Sequence, residues 1–489
     1  KSPEQYARAA ALFWVNDEKD TAQLYYDQLK DKYPEYNLAL LQRDHEVWSP
    51  GQATRELIEA TFREVVNASG DKAGVTVPDD VKKPAAAPTY KSTTDLCLVT
   101  MYESESTKEV SEGNRELRGE LDAKLARFKD YKVEQGKAIS PDATTQELLA
   151  TAKALDTEYI LQATINSDKN RITAKLLNVE DGQNFWSKTV REGDMVGEGD
   201  FIDEATGFIA AHVAGHDGAI HRDILKKALV KKEEDLTPME LLQLGKSLWE
   251  DSTSENTIKA IEYLNRCIKL NPEISTAYGI LSEVYLEDIR GFYNKYPDAM
   301  TKAKDMAARG VELEPSNAIA LIEQIWISWY ENDFAAVEVQ MEAALKANPY
   351  EALVQASVGS FYASTGVDYE KGKKHLDLAI KYNDTPQGWY YVGYIFYYMS
   401  KGDYDSALEY GLKSSYNSQF VLPLVTSLFW LVENEESALS YYQRIKKDIP
   451  NYSTEELDRF LGVFHYAPES RKRILEAFIE VETAAKASE

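Results

Sequence analysis

The second half of the chain carries a repeated apolar pattern in which small residues recur at a nearly constant step. Three of these small residues are each followed 12 positions later by a proline: Ala260 and Pro272, Ala303 and Pro315, and Ala438 and Pro450. With the intervening positions included, the steps are 43, 34, 35, 35 and 31 residues along the series Ala260, Ala303, Val337, Gly372, Ala407 and Ala438. A step near 34 is typical of a repeated helical hairpin, so residues 236–467 are predicted to form a stack of about six hairpins.

The pattern between residues 94 and 195 is mixed rather than helical. Short apolar or alternating runs predict five strands, at residues 96–101, 131–133, 159–166, 171–178 and 185–190. Apolar positions every four residues predict a helix over 109–128, and a capped helix is predicted over 145–155. The order β-α-β-α-β-β-β predicts a small α/β domain in front of the hairpins.

The remaining stretches complete a mostly helical chain. They predict a helical segment at residues 1–70, a Pro- and Ala-rich linker at 71–93, connecting helices at 196–235 and a capping helix at 468–489. Ala22 and Pro34 repeat the 12-residue spacing, which favours a helical hairpin in the first segment. The alternative there is a strand at residues 11–15 that delivers acidic side chains, as in a receiver domain.

The amino-acid composition argues against some classes of binding partner. The chain has 489 residues, with 55 Lys and Arg against 81 Asp and Glu, which gives a formal net charge of −26. Such an acidic surface repels phosphate backbones, so we expect no nucleic-acid binding. The two cysteines, Cys97 and Cys267, fall in different predicted domains, so no disulfide is expected. We also expect no membrane span, because no apolar run reaches about 18 residues.

A block in the predicted α/β domain resembles a known family. The run LDTEYILQATI at residues 155–165 is followed by ITAKLLN at 172–178, then by Asp181-Gly182 and Trp186. This series resembles the N-terminal α/β domain of TolB-like proteins, in which a helix ends in a Leu-Gly step before a strand. Asp156 stands where that family has glycine after the helix, and Ala163 where it has a strand glycine.

The hairpin region resembles tetratricopeptide repeats. Two neighbouring units match the turn and the second-helix opening of that consensus: Gly402, Asp403, Tyr404 and Ala407, and one repeat earlier Gly359, Tyr362, Gly366, Asp368 and Tyr369. A TolB-like domain followed by such repeats resembles the sensor regions of CadC-like regulators and the regulatory regions of some class III adenylate cyclases and Ser/Thr kinases. This resemblance implies a periplasmic location for a sensor ectodomain, and otherwise a cytoplasmic one.

Residues for catalysis or metal binding are not indicated by the sequence. His212 and His216 have the i, i+4 spacing of zinc ligands, with His221 nearby. Gly215 and Gly218 interrupt a helix there, so we expect surface or hinge histidines and no metal site. Because neither a phosphate-binding loop nor a Gly-x-Ser-x-Gly elbow occurs, we predict no enzymatic activity and no cofactor.

Aromatic residues crowd the predicted repeats. Most should fill the space between helices, but the segment 389–398 holds more aromatic residues than one interior face uses. We therefore predict that four of them help to line a ligand or peptide groove: Trp326, Trp329, Trp389 and Tyr394. Aromatic anchors in a groove are where binding energy concentrates.

These observations favour a non-enzymatic sensory or regulatory module that binds a protein, a peptide or a small ligand in a repeat groove. One alternative is the regulatory region of an adenylate cyclase or kinase whose catalytic domain lies outside this chain. Another is a structural assembly scaffold. The sequence does not decide whether two copies of the chain form a homodimer.

Overall fold

A computed structural model describes residues 26–27, 29–32, 91, 93–99, 111–140, 143–195, 199–250, 253–290, 295–414 and 421–488. The chain divides into two compact units, Lys1–Tyr90 and Lys91–Glu489. In the first unit the described residues are helical. The predictions for the rest of that unit, including the receiver-like alternative and most of the linker, lie outside the described residues.

The second unit begins with a five-stranded sheet and two helices in the predicted order. The strands are β1 (Thr94–Val99), β2 (Tyr131–Gln135), β3 (Tyr159–Ile165), β4 (Arg171–Asn178) and β5 (Asn184–Arg191), and the helices are α1 (Glu112–Leu125) and α2 (Thr145–Lys153). The strand order is β2-β1-β3-β4-β5. β1 pairs in parallel with β2 and β3, whereas β3, β4 and β5 are antiparallel to their neighbours.

Local sequence explains the ends of α2. Thr144 caps its start: the Thr144 Oγ1 accepts from the Glu147 N–H at 3.3 Å, and Glu147 Oε2 accepts from the Thr144 N–H at 2.7 Å. Beyond its end, Asp156 has a φ of +54°. This left-handed conformation favours glycine, which is the residue that the TolB-like pattern has there, and aspartate adopts it more readily than most other side chains.

Helices make up the rest of the described chain. Two connecting helices, α3 (Phe201–Ala214) and α4 (Ala219–Ala228), lead into the hairpins. Six hairpins follow: α5 (Pro238–Glu250) with α6 (Ser254–Leu270), α7 (Ser275–Arg290) with α8 (Ala299–Leu313), α9 (Ala318–Tyr330) with α10 (Phe334–Ala347), α11 (Ala352–Thr365) with α12 (Tyr369–Lys381), α13 (Val392–Ser400) with α14 (Tyr404–Lys413), and α15 (Val421–Leu431) with α16 (Glu435–Asp448). The chain then forms α17 (Thr454–Val463) and α18 (Pro468–Ser488). The predicted fold class is thereby confirmed.

The regularly spaced small residues lie where the two helices of a hairpin meet. Ala260, Ala303, Ala407 and Ala438 are completely buried in the second helix of their hairpins. At Gly372, an added Cβ would lie only 2.5 Å from the Ala363 backbone nitrogen on the facing helix. Close approach of the two backbones therefore sets the repeat that is visible in the sequence.

The α/β domain packs on one edge of the hairpin stack. Arg127 Nη1 donates to the carbonyls of Lys346 and Ala347, the last two residues of α10, at 2.9 and 3.1 Å. Lys124 lies 5.4 Å above the ring of Tyr350 in the loop that follows α10. Among the described helices, none is both long and apolar enough to cross a membrane.

Candidate ligand-binding cavity

A cavity of about 150 Å³ lies on the face formed by the first helices of successive hairpins. Side chains from α5, α7, α9, α11, α13 and α15 line it, together with α17 and the segment that follows. Seven of these side chains are aromatic: Trp249, Trp326, Trp329, Trp389, Phe460, Phe464 and Tyr466. Their number makes the cavity apolar over most of its wall, which is typical of ligand pockets.

Three tryptophans form one wall. Trp326 and Trp329 are stacked on α9 with ring centroids 5.1 Å apart, because residues three apart share a helix face. Trp389 comes from the 3₁₀ turn Gly388–Tyr391 and meets Trp326 edge-on at 6.4 Å. Its Nε1 donates to Gln387 Oε1 at 2.8 Å, which fixes the ring. The structure thus brings three of the four predicted residues together.

A second aromatic wall comes from the C-terminal end of the fold. Phe464 and Tyr466 are stacked at 5.8 Å, and Phe464 meets Tyr330 edge-on at 6.0 Å. The segment after α17 is tied to the middle of the stack, since the Ala467 N–H donates to the Ser364 carbonyl at 2.8 Å. This connection brings residues that are far apart in sequence into the lining of one cavity.

The third part of the lining is charged and almost buried. Glu283, Glu287 and Arg290 come from α7, and Glu323 comes from α9. Arg290 donates to Glu283, and its Nε donates to Glu287 Oε2 at 3.0 Å. Glu283, Glu287 and Glu323 are 7 %, 7 % and 2 % exposed, respectively. Two of the three carboxyl groups, those of Glu283 and Glu287, are therefore paired with the Arg290 guanidinium.

Some polar atoms of this lining are not paired. Glu283 Oε2, Glu323 Oε2, Trp329 Nε1 and Ser360 Oγ are buried without a hydrogen-bond partner within the described chain. Burial, together with the neighbouring charge of Glu283, raises the pKa of Glu323 well above its usual range. Burial also raises the pKa of Glu287, although Arg290 opposes this effect. Glu323 is therefore harder to ionise than an exposed carboxyl group, even with Arg290 nearby.

Tyr394, the fourth predicted residue, lies outside this lining. Its ring stacks on Tyr410 at 4.4 Å, and its hydroxyl donates to Asp377 Oδ1 at 2.7 Å. It packs with Ala363 and Leu376 between hairpins. The cavity lining therefore includes Trp326, Trp329 and Trp389 but not Tyr394.

The expectation of surface or hinge histidines is wrong. His212, His216 and His221 are each 4 % exposed, because α3, α4 and the turn between them pack against the hairpins. His212 Nδ1 lies 2.7 Å from the Phe208 carbonyl, and its Nε2 lies 3.2 Å from Asp384. Burial lowers the pKa of all three imidazoles.

One set of these groups has the spacing of metal ligands. In the described chain, His216, Asp217 and Glu250 offer ligand atoms within 4.8 Å of one another. Lys246 Nζ lies 2.7 Å from Asp217 Oδ1 and 3.7 Å from Glu250 Oε1. The lysine ammonium already supplies the positive charge that a metal ion would bring, so this cluster is a buried ion-pair network.

Sequence reasoning missed the acidic part of the cavity. Glu323 interrupts the otherwise apolar start of α9, AIALIEQIW, and this isolated carboxyl in an apolar helix was the available signal. Glu283 and Arg290 gave no comparable signal, since their helix carries several acidic residues. Only the packing of α7 beside α9 shows that these side chains face one cavity.

No protein-family model matches the sequence, and no curated protein matches it significantly. Among solved structures, the chain is similar to PilF of Pseudomonas aeruginosa at 16 % identity, with a TM-score of 0.32 over 47 % of this chain and 99 % of that one. It is similar to a tetratricopeptide repeat protein from Parabacteroides merdae at 13 % identity, with a TM-score of 0.28 over 48 % and 99 % of the two chains. Yeast Tom70 gives 13 % identity and a TM-score of 0.28 over 100 % and 97 %. The function is therefore inferred from the cavity.

Proposed function

We propose that this chain is a non-enzymatic sensory or regulatory module that binds a protein, a peptide or a small ligand in the cavity of its hairpin stack. The observation that supports this most is the meeting of three tryptophans with unpaired buried polar atoms in one lining. Buried polar groups in folded proteins are normally hydrogen-bonded, and each exception requires an explanation. A bound ligand that pairs with these atoms explains them, and the tryptophans supply the apolar contact.

The way in which the cavity is connected to the α/β domain supports a sensory role over a purely structural one. Trp249 lines the cavity from α5, and Lys246, three residues earlier on that helix, binds Asp217 in the turn between α3 and α4. Leu353 lines the cavity from α11, and Glu351, the cap of that helix, accepts from the His216 N–H at 3.2 Å. The same two helices thus line the ligand space and contact the turn between α3 and α4, and these two connecting helices share a hydrophobic core with the α/β domain. In the proposed mechanism, the TolB-like domain relays the bound state.

The regulatory region of an adenylate cyclase or kinase, and an assembly scaffold, remain the alternatives. A regulatory region uses the same cavity and relay but acts on a catalytic domain outside this chain. A scaffold needs partners on its outer surfaces and no ligand in the cavity. Binding of a ligand in the cavity would therefore distinguish the two regulatory functions from the scaffold.

The test is quantitative affinity capture from extract of the source cells with three forms of the chain as bait. The cavity variant carries Trp326→Ala and Trp389→Ala, and the matched control carries Trp430→Ala. Trp430 also lies in the repeats, but it is not part of the lining, and its Nε1 donates to Glu480 at 2.6 Å. A partner that the wild type and the control retain and the cavity variant loses supports the proposal. Equal retention by all three, with circular dichroism showing intact folding, would favour the scaffold.

A further inference from the structure

The charged side of the cavity determines which chemistry it can accept. Arg290 directs its guanidinium to Glu283 and Glu287, so its charge is already paired. Glu283 and Glu323 each keep one buried carboxyl oxygen without a partner in the described chain. Without a ligand, Glu283 is the hydrogen-bonding neighbour of Glu323, and a donor that enters the cavity can serve both carboxyl groups. The other cavity walls offer rings that attract positive charge at their faces.

Other ligand classes fit less well. An anion would meet three carboxyl groups and a guanidinium that is already paired. A purely apolar group would fill the tryptophan wall but would leave the buried carboxyl groups of Glu323 and Glu283 to share one proton between them. A positively charged donor satisfies the acidic side and the aromatic side together.

The size of the cavity limits the stem that carries this charge. A cavity of about 150 Å³ is comparable to one that holds a benzene molecule. The four methylene groups of a lysine side chain or a phenylethyl group are of this scale. The stem would lie against Trp326 and Trp389, and the charged end would reach Glu323.

We propose that the cavity binds a protonated primary amine on an apolar stem, the group that a lysine side chain or a small alkyl or aryl amine presents. This inference rests on the proposed function, because it specifies the ligand of the same cavity. The carboxyl groups of Glu323 and Glu283 accept from the ammonium, and the tryptophans pack against the stem. Pairing by Arg290 keeps Glu283 and Glu287 in place around the charge.

The experiment compares three isosteres by titration calorimetry at pH 7: phenylethylammonium, 2-phenylethanol and 3-phenylpropionate. We expect the amine to bind roughly tenfold or more tightly than the alcohol, and the carboxylate to bind most weakly. A second arm compares a capped pentapeptide with a central lysine against the same peptide with norleucine. If the lysine peptide binds more tightly than phenylethylammonium, the natural ligand is assigned as a lysine side chain of a protein partner. If phenylethylammonium binds more tightly, the natural ligand is assigned as a small molecule.

Variants test the residues that carry the preference. Glu323→Gln should remove most of the advantage of the amine over the alcohol, whereas the exposed Glu409→Gln should leave it unchanged. Trp326→Ala should weaken the binding of the amine and the binding of the alcohol to a similar extent. Thermal unfolding followed by circular dichroism checks that each variant is folded. If one variant does not fold, the comparison of the three ligands on the wild-type protein still tests the proposal.

The proposal is overturned if the alcohol or the carboxylate binds the wild type as tightly as the amine, or if none of the amines binds. It is also overturned if the folded Glu323→Gln variant keeps the full preference for the amine. In each case, partner capture that still depends on Trp326 and Trp389 would leave the proposed function in place. Failure of the ligand class and failure of the binding function are thus distinguishable.

Discussion

Lys246 and Trp249 lie one turn apart on α5, and they point into two different environments. The Lys246 ammonium lies 2.7 Å from Asp217 in the turn after α3, whereas the Trp249 ring lines the cavity. One helix turn therefore joins the ion-pair network at the turn between α3 and α4 to the proposed ligand space.

Removal of Lys246 should strongly destabilise the second unit. Burial opposes ionisation of Asp217, yet the adjacent Lys246 ammonium lowers its pKa to about 2, so the carboxylate is charged at neutral pH. Lys246→Met leaves that charge buried, and loss of one partner of a buried pair costs about 3–5 kcal/mol. The free energy of unfolding in urea, followed by far-UV circular dichroism, measures the loss.

The matched control is Lys413→Met, because Lys413 forms an ion pair with Glu409 at the surface. Exposed pairs contribute only about 0–1 kcal/mol. Adding Asp217→Asn to Lys246→Met should restore part of the stability, since the carboxylate closest to Lys246 is then no longer left buried without its cation. If the Lys246→Met variant is as stable as the Lys413→Met control, Lys246 does not stabilise the fold through the buried ion-pair network.

Glu351 should make stability depend on pH. Burial, together with the charge of Asp217, raises its pKa to about 7, although the N–H groups of Leu353 and His216 oppose the shift. A carboxyl with a raised pKa contributes its full stability below the unfolded pKa near 4.5, and this contribution is lost as pH rises towards 7. The wild type should therefore lose up to about 3 kcal/mol relative to Glu351→Gln between pH 4.5 and 7.5. Urea unfolding of both proteins across this range measures the difference, and a difference that stays constant with pH would contradict the assignment.

Gly372→Ala should test the backbone contact behind the repeat spacing. The new Cβ would lie 2.5 Å from the Ala363 nitrogen, and a backbone atom cannot move aside easily. We expect a loss of about 1–3 kcal/mol, as for other overpacked sites. Gly119→Ala is the control, because it lies within α1 with no atom near its Cβ position and should stabilise by about 0.5–1 kcal/mol. If Gly372→Ala is as stable as the wild type, close backbone approach does not explain the small residue.

The sequence predicted the fold better than the site, for physical reasons. The spacing from Ala260 to Ala438 reflects contacts within each hairpin, so a local pattern reveals it. The strands were predictable because β1 is buried throughout and reads as an apolar run. Tyr394 follows Trp389 by five positions, which turns its side chain to a different face from the cavity.

The remaining features depend on contacts between distant segments. His212, His216 and His221 are buried because α3 and α4 lie against hairpins more than a hundred residues later in the chain, as the bond from His216 to Glu351 shows. Phe464 reaches the cavity only because the chain after α17 returns to α9 and α11. Such contacts leave no periodic trace in the sequence.

Binding of an amine should release protons from the cavity. Glu323 is buried beside Glu283 and Arg290 of α7, and burial together with the charge of Glu283 raises its pKa well above the usual range, which favours its protonated form. An entering ammonium stabilises the carboxylate and lowers this pKa, so up to about one proton leaves for each amine bound. Calorimetric titration of phenylethylammonium in phosphate and in Tris should therefore give enthalpies that differ in proportion to the ionisation enthalpies of the two buffers. The difference should nearly vanish in Glu323→Gln and persist in Trp430→Ala. Equal enthalpies in both buffers for the wild type would mean that Glu323 is already ionised before the ligand enters.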